Sequence, residues 1–230
     1  MKLLVIGARP RSLGAHVVSV AQSMSKFEVV TAGMHDNSKL DLTKPKDVHA
    51  FMKDVAPDHV VCTAGVNLFG STIGEGWLAK LEGQMRTNYY GPMILLSEWA
   101  RYWRYARQPE TRHFVAVSSN SAHIARSNSV GYCASKAALS MAIRCTAREM
   151  AQLPLDEWVP LSIWCVEPGW LNDTPMSRSL ETRFGHDALH RIPGGEGIPP
   201  LSVATHIVNT IKSGGLAFNG TTIRIDGGEQ

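Results

Sequence analysis

Short apolar runs rich in branched residues alternate along the chain with longer segments whose apolar positions return every three or four residues. The runs are Lys2–Ile6 (KLLVI), Phe27–Thr31 (FEVVT), His59–Cys62 (HVVC), His113–Ser118 (HFVAVS), Leu161–Val166 (LSIWCV) and Thr221–Ile225 (TTIRI). A run that is apolar at consecutive positions has no polar face to turn to water, so it predicts a strand of a parallel sheet covered on both sides. The segments Gly14–Met24, Pro45–Val55, Glu82–Arg107, Gly131–Leu153 and Ser202–Lys212 predict helices. Pro45 falls where a first helical turn tolerates proline, with Thr43 or Lys44 as cap, and Pro154 stops the Gly131–Leu153 segment. Regular alternation of strand and helix predicts an α/β fold: a single, doubly wound parallel sheet of Rossmann type with right-handed crossovers.

Two stretches depart from this rhythm. Only nine residues separate Thr31 from Asp41, too few for a helix and a full strand, so a vestigial strand is expected around Lys39–Leu42. Asn172–Pro200 holds Gly194, Gly195 and Gly197 and prolines at 175, 193, 199 and 200. It follows the carboxyl end of a strand, which marks it as a substrate lid. With no repeat, linker or low-complexity stretch, residues 1–230 read as one catalytic domain.

Composition narrows the function classes. A chain of 230 residues that is 44% hydrophobic and 19% charged is globular. The formal charge of +3 is not gathered into a run, which argues against a nucleic-acid platform. Cys62, Cys133, Cys145 and Cys165 form no Cys-x-x-Cys pair and read as reduced thiols. Leu3–Ile6 is too short for a signal-peptide core or a membrane span, so a cytoplasmic protein is expected. His186 and His190 stand four apart, but no cysteine is placed beside them, and no metal site is expected.

Ligands of open parallel sheets bind beyond the carboxyl ends of the strands, and polar chemistry concentrates there. After the first strand comes Gly7-Ala8-Arg9-Pro10-Arg11-Ser12-Leu13-Gly14, opening a helix. Glycines permit a tight turn, and a helix amino terminus attracts phosphate. Ser119 follows the His113–Ser118 run. Tyr132 lies thirteen residues beyond it, and Lys136 one helical turn further on the same helix face. A cation beside a phenol favours phenolate, so Lys136 is expected to lower the Tyr132 pKa from about 10 toward the range useful for proton transfer.

These motifs, in this order, resemble the short-chain dehydrogenase/reductase family from Met1 to Gly228. Tyr132-Cys133-Ala134-Ser135-Lys136 matches its active-site motif, Ser119 its serine and Asn88 its asparagine. Asp41-Leu42-Thr43 matches the segment near adenine, and Ala64-Gly65 and Pro168-Gly169 match two further cofactor contacts. The resemblance implies that Ser119 and Tyr132 act on a substrate carbonyl. It also implies that Lys136 holds the cofactor ribose and that Asn88 orders a water leading to Lys136. There are departures. The glycine loop lacks its middle glycine, and Ser12 is expected to offer its hydroxyl to phosphate instead. Cys62-Thr63 replaces Asn-Asn. Thr174, the expected nicotinamide-side contact, stands six positions after Pro168 where five is usual.

The resemblance therefore implies hydride transfer between a nicotinamide cofactor and a small carbonyl or alcohol. No acid stands at the turn after the second strand, while Arg9 and Arg11 stand in the glycine loop, so charge favours NADP(H). Asp36 keeps NAD(H) as the alternative. Two rival readings are a dinucleotide-binding regulator without turnover and a sugar-nucleotide or enoyl-modifying enzyme. Intact Ser119, Tyr132 and Lys136 argue against the first. Against the second stand three residues between tyrosine and lysine, where enoyl reductases have six, and only about 60 residues after Gly169. Apolar residues on more than one side of the two long helices, among them Ala137, Met141, Ile143, Cys145 and Met150, predict a homo-oligomer, a dimer or tetramer.

Overall fold

The computed structural model describes residues 1–36, 38–103, 110–152, 160–184 and 192–229. Each apolar run forms a strand: β1 (Lys2–Ile6), β2 (Glu28–Ala32), β3 (His59–Cys62), β4 (Arg112–Val117), β5 (Leu161–Pro168) and β6 (Thr222–Ile225). All are parallel, in the order β2-β1-β3-β4-β5-β6. The helices are α1 (Leu13–Ser23), α2 (Pro45–Val55), α3 (Trp77–Met85), α4 (Gly91–Trp103), α5 (Val130–Ala151), α6 (Pro175–Phe184) and α7 (Pro200–Ser213).

The apolar runs are continuous because alternate residues feed two cores. Leu3, Val5, Val61, Val115, Trp164 and Val166 pack against α1 and α7. Leu4, Ile6, Val60, Phe114, Ile163 and Cys165 pack against α2, α4 and α5. The chain leaves β1 for β2 on one side and returns to β3 on the other. That reversal opens a crevice at the carboxyl ends of β1 and β3, where the two crossover connections diverge.

Three expectations are corrected. No strand forms at Lys39–Leu42. The chain turns back over Gly33–Asp36 and makes one parallel bridge, Ala32 with Ser38, after which Leu40 and Leu42 plug the core. A chain that returns this soon has too few residues left for a paired strand. The predicted helix from Glu82 begins earlier, at Trp77, and is interrupted by a π-helical turn at Arg86–Tyr90 before α4. Its expected end at Arg107 lies outside the described residues, as do Leu153 and Pro154. Asn172–Pro200 is not an irregular loop throughout. It contains α6, capped by Thr174, and its base is closed by the Leu171–Ile198 bridge. Leu189, His186 and His190 lie outside the described residues.

Candidate active site

The glycine loop is shaped by contact. Gly7 has φ +86°, and a Cβ on Gly14 would lie 2.6 Å from the Gly7 carbonyl. Any side chain at 14 would push α1 off the loop. Ser12 is the N-cap of α1: its hydroxyl donates to the Gly7 carbonyl (2.9 Å) and accepts from the Ala15 amide (3.2 Å). The hydroxyl expected to meet phosphate is thus engaged in closing the loop. The first-turn amides of Leu13 and Gly14 open α1, the place where helix N–H groups lack helical partners. Arg9 and Arg11 are exposed, and Arg11 sits at φ +65°. Asp36 reaches across from the β2 turn, and its Oδ2 accepts from the Gly7 and Ala8 amides at 3.2 and 3.1 Å.

Asp41 and Leu42 do not present free side chains to this loop. The Asp41 carboxylate accepts from the amide and hydroxyl of Thr43, which hold its pKa below the usual carboxylate value. Leu42 is buried against Gly91.

On the other side of the crevice, β4 ends at Val117 and delivers Ser118 and Ser119. The Ser119 hydroxyl accepts from the Ser121 amide (3.1 Å) and faces the side-chain oxygen of Asn120 (3.5 Å). Helix α5 begins at Val130 and carries Tyr132, Ser135 and Lys136, all buried, on the face turned to the sheet. Lys136 Nζ donates to the Val117 carbonyl (2.9 Å) and lies 5.8 Å from the centre of the Tyr132 ring. The Tyr132 hydroxyl approaches Met176 Sδ of α6 at 3.9 Å, which brings the predicted lid over the phenol.

Burial dominates the electrostatics. It pushes the Tyr132 phenol above its ordinary value. The nearby Ser119 hydroxyl lowers it, Cys133 raises it and the Arg126 charge lowers it, each to a lesser degree. Burial also pulls Lys136 down to about 8. The expected direct lowering of Tyr132 by Lys136 is corrected accordingly. The ammonium is bonded to the Val117 carbonyl, and burial, the largest influence on the phenol, raises it.

Asn88 sits in the π-helical turn and is fully buried. Its Oδ1 accepts from the Val66 amide (2.8 Å), and its Nδ2 donates to the Val66 carbonyl (2.9 Å) and to Ser135 Oγ (3.0 Å). It therefore straps the segment after β3 to α5. Gly65 lies between: a Cβ there would stand 3.2 Å from Lys136 Nζ and 3.5 Å from Asn88 Oδ1. π-helical turns recur at functional sites because one extra residue re-aims the side chains around it, and here that residue carries the strap.

Pro168 ends β5, and Gly169 packs so tightly on the segment after β6 that a Cβ would meet Asp226 Cα at 2.8 Å. Thr174 caps α6 through the Ser177 amide (3.2 Å), so its hydroxyl serves the helix.

The fold assembles groups that sequence reading did not pick out. Glu167, just before Pro168, is fully buried, and Ser140 of α5 donates to its Oε1 (2.6 Å). His123 Nε2 stands 2.8 Å from its other oxygen. Asn120 and Arg126 converge on Glu229, from more than 100 positions away in the chain. Only the adjacency of Glu167 to Pro-Gly and of Asn120 to Ser119 hinted at these roles. Among the described residues there is no group of three or more His, Cys, Asp or Glu side chains suited to hold a metal ion, and no helix is long and apolar enough to cross a membrane.

Comparison with known proteins agrees with this geometry. A family model described as enoyl-(acyl carrier protein) reductase matches residues 6–230. The vibriobactin-specific 2,3-dihydro-2,3-dihydroxybenzoate dehydrogenase of Vibrio cholerae is 28% identical over 209 residues, covering 83% of this chain and 74% of that one. Among solved structures, the ligand-free aldohexose dehydrogenase of Thermoplasma acidophilum superposes with a TM-score of 0.81 at 21% identity, over 99% of this chain and 92% of that one. A short-chain dehydrogenase family protein of Francisella tularensis gives 0.81 at 21%, over 99% and 97%. ElxO with NADP bound gives 0.82 at 19%, over 99% and 97%. With the family model matched from the end of β1 onward and the sheet shared along its length, the chain belongs to the short-chain dehydrogenase/reductase family of oxidoreductases.

Proposed function

We propose that the protein is a dinucleotide-dependent oxidoreductase acting on a small carbonyl or alcohol. The observation that carries this reading is the convergence of Ser119, Tyr132 and Lys136, from the end of β4 and one face of α5, on a crevice beside the glycine loop. The residues fit a dinucleotide. At Gly7, Gly14 and Gly65 a Cβ would crowd Thr63, the Gly7 carbonyl and Lys136 respectively, so the lack of side chains lets the loop, α1 and the crevice wall pack closely. The α1 amides of Leu13 and Gly14 suit a diphosphate. Gly65 lies against Lys136; Ala64, Pro168, Gly169 and Thr174 would be further cofactor contacts, and Asp41 and Leu42 would lie toward its adenine.

A dinucleotide held by these residues would supply or accept the hydride at its nicotinamide ring. Tyr132 gives its proton to the carbonyl oxygen during reduction and takes it back during oxidation. Its raised pKa keeps it protonated at neutral pH, as a donor must be. Ser119 donates a hydrogen bond to the same oxygen. Lys136 would hold the cofactor ribose, and at about 8 it is still mostly protonated at neutral pH. Asn88 keeps the Val66 segment and α5 at fixed separation. Met176 of α6 shields the phenol from water and sets one wall of the substrate site. The matched family model names an enoyl reductase; the three-residue gap between Tyr132 and Lys136 and the donor pair at one oxygen favour carbonyl chemistry. The test is absorbance at 340 nm over a panel of ketones, aldehydes and sugars with either dinucleotide. Turnover supports the reading, and dinucleotide binding without turnover on any of them supports a regulator.

NADP(H) is the proposed cofactor. Arg9 and Arg11 are exposed at the loop and form no ion pair among the described residues, whereas two backbone amides compensate the Asp36 charge. The same Asp36 contact is what favours NAD(H) as the second reading, since it sets a carboxylate at the loop. NADPH is expected to bind about 10- to 100-fold more tightly than NADH, from roughly 1.5–3 kcal/mol for a charge-assisted contact. Arg9→Ala or Arg11→Ala should narrow that gap in fluorescence titrations. Equal affinities in the wild type would transfer the choice to Asp36.

A homo-oligomer is proposed on α4 and α5. Of the residues expected to form a second apolar stripe, Ile143 faces the sheet core, while Ala137, Met141 and Cys145 line an exposed row at four-residue spacing. Tyr90 and Tyr102 are also exposed. Met141→Arg should shift light scattering at micromolar concentration toward the 25.1 kDa monomer. A monomeric wild type would contradict the proposal.

A further inference from the structure

We infer that Glu229 is a positioning residue for Ser119, acting as a buried carboxylate bridge between Asn120 and Arg126. The inference rests on the proposed role of Ser119 and adds a residue to that site. Glu229 follows β6 in a turn made by Gly227 (φ +66°) and Gly228 (φ +81°), and it is only 4% exposed. Its Oε2 accepts from Asn120 Nδ2 at 2.7 Å, and its Oε1 accepts from Arg126 Nη2. Asn120 is itself 3% exposed.

Burying a carboxylate is costly unless charge and hydrogen bonds compensate it. Here Arg126 supplies the charge and Asn120 the second donor. What they hold is specific. Asn120 directly follows Ser119, faces the serine hydroxyl and opens the short 3₁₀ turn Asn120–Ala122 that Ser119 caps. Arg126 lies on the same connection, six residues before Tyr132. The connection between β4 and α5 is therefore tied at two points to one carboxylate anchored from β6. Gly169, packed on Asp226, fixes the turn from below, and the Gly228 amide donates to Asp226 Oδ1 at 3.1 Å. With the bridge intact, Ser119 Oγ has one orientation relative to Tyr132. Without it, Asn120 loses its partner, and the serine hydroxyl is free to turn from the carbonyl oxygen it must meet. A shift of a fraction of an ångström in a donor of this kind is enough to lower turnover.

Glu229→Gln tests this, because an amide cannot accept from both donors: its NH₂ must face either Asn120 or Arg126. It is measured in the wild-type and Ser119→Ala backgrounds, on the carbonyl that the wild type reduces fastest, with dinucleotide affinity taken in parallel. Residues acting through one another give non-additive effects. The expected result is about a tenfold fall in kcat in the wild-type background and less than twofold in Ser119→Ala, with dinucleotide affinity within about twofold throughout. An equal fall in both backgrounds would assign Glu229 a general structural role and overturn the inference, as would no fall at all. Should Glu229→Gln fail to fold, Asn120→Ala removes the other end of the link and must show the same dependence on Ser119. A Ser119→Ala enzyme as fast as wild type would instead refute the role of Ser119, and the positioning role with it.

Discussion

Tyr132→Phe is expected to reduce turnover at least about 100-fold while leaving dinucleotide affinity within about twofold. General acid–base catalysis by a positioned group contributes about 10²–10⁴-fold, and phenylalanine removes the proton without changing the ring. The ring is buried between α5 and Met176 of α6, so its shape is what packing needs and its hydroxyl is what chemistry needs. Binding should persist because the glycine loop, the α1 amides and Lys136 are untouched. Steady-state rates with fluorescence titration check both halves. A variant that keeps more than about a tenth of the wild-type rate would remove Tyr132 from the mechanism.

The second large effect concerns acid stability and lies at the opposite end of the sheet. His59 and His113 begin β3 and β4 side by side, their rings 5.6 Å apart, with 2% and 0% exposure. Their Nδ1 atoms act as acceptors, from the His113 amide (3.1 Å) and from the Trp164 indole (3.4 Å). Burial pulls His59 down to about 3, helped by the neighbouring His113 and Arg112, and it pulls His113 down to about 4. In the unfolded chain both titrate near 6.5. Below that pH the unfolded chain binds more protons, so stability that is fully present above about 6.5 is lost as pH falls toward 4 and then 3. Each histidine costs up to about 1.4 kcal/mol per pH unit in that window. Two together amount to several kcal/mol, a large share of the roughly 5–15 kcal/mol that holds a domain folded. The urea midpoint should fall steeply between pH 6.5 and pH 5, before ordinary carboxylates titrate. A flat midpoint across that interval would show that the pair is hydrated or already charged.

What was legible in the sequence is local. The β1 and β3 runs could only be strands covered on both faces, and both are. Tyr132 and Lys136 share a helix face by spacing alone, and the structure keeps them on one face of α5. What was illegible depends on distance or on a single inserted residue. The π-helical turn at Arg86–Tyr90 leaves the apolar periodicity of its flanks nearly intact, so a broken helix reads as a whole one. The α6 residues Pro175–Phe184 are mostly polar and lack an apolar period, so the helix that the Thr174 cap sets leaves little trace in the pattern. Leu40 and Leu42 look like strand residues because they are buried, but they are buried as plugs. Spacing reports that Lys136 and Tyr132 are near but says nothing of desolvation, which dominates both groups. Glu229, Asn120 and Arg126 were invisible as a unit because no local pattern links positions so far apart.

If Ser119, Tyr132 and Lys136 form a site for hydride transfer to a carbonyl carbon, hydrogen must pass from dinucleotide to product, which label transfer reads. The protein is incubated with NADPH carrying deuterium at the transferable position of its nicotinamide ring and with the carbonyl panel, and products are read by mass spectrometry. Wild-type protein is expected to place one deuterium on the carbinol carbon of the product, and Tyr132→Phe to do so at less than about a hundredth of that rate. Labelled dinucleotide that binds and yields no deuterated product with any carbonyl would contradict hydride transfer at this site.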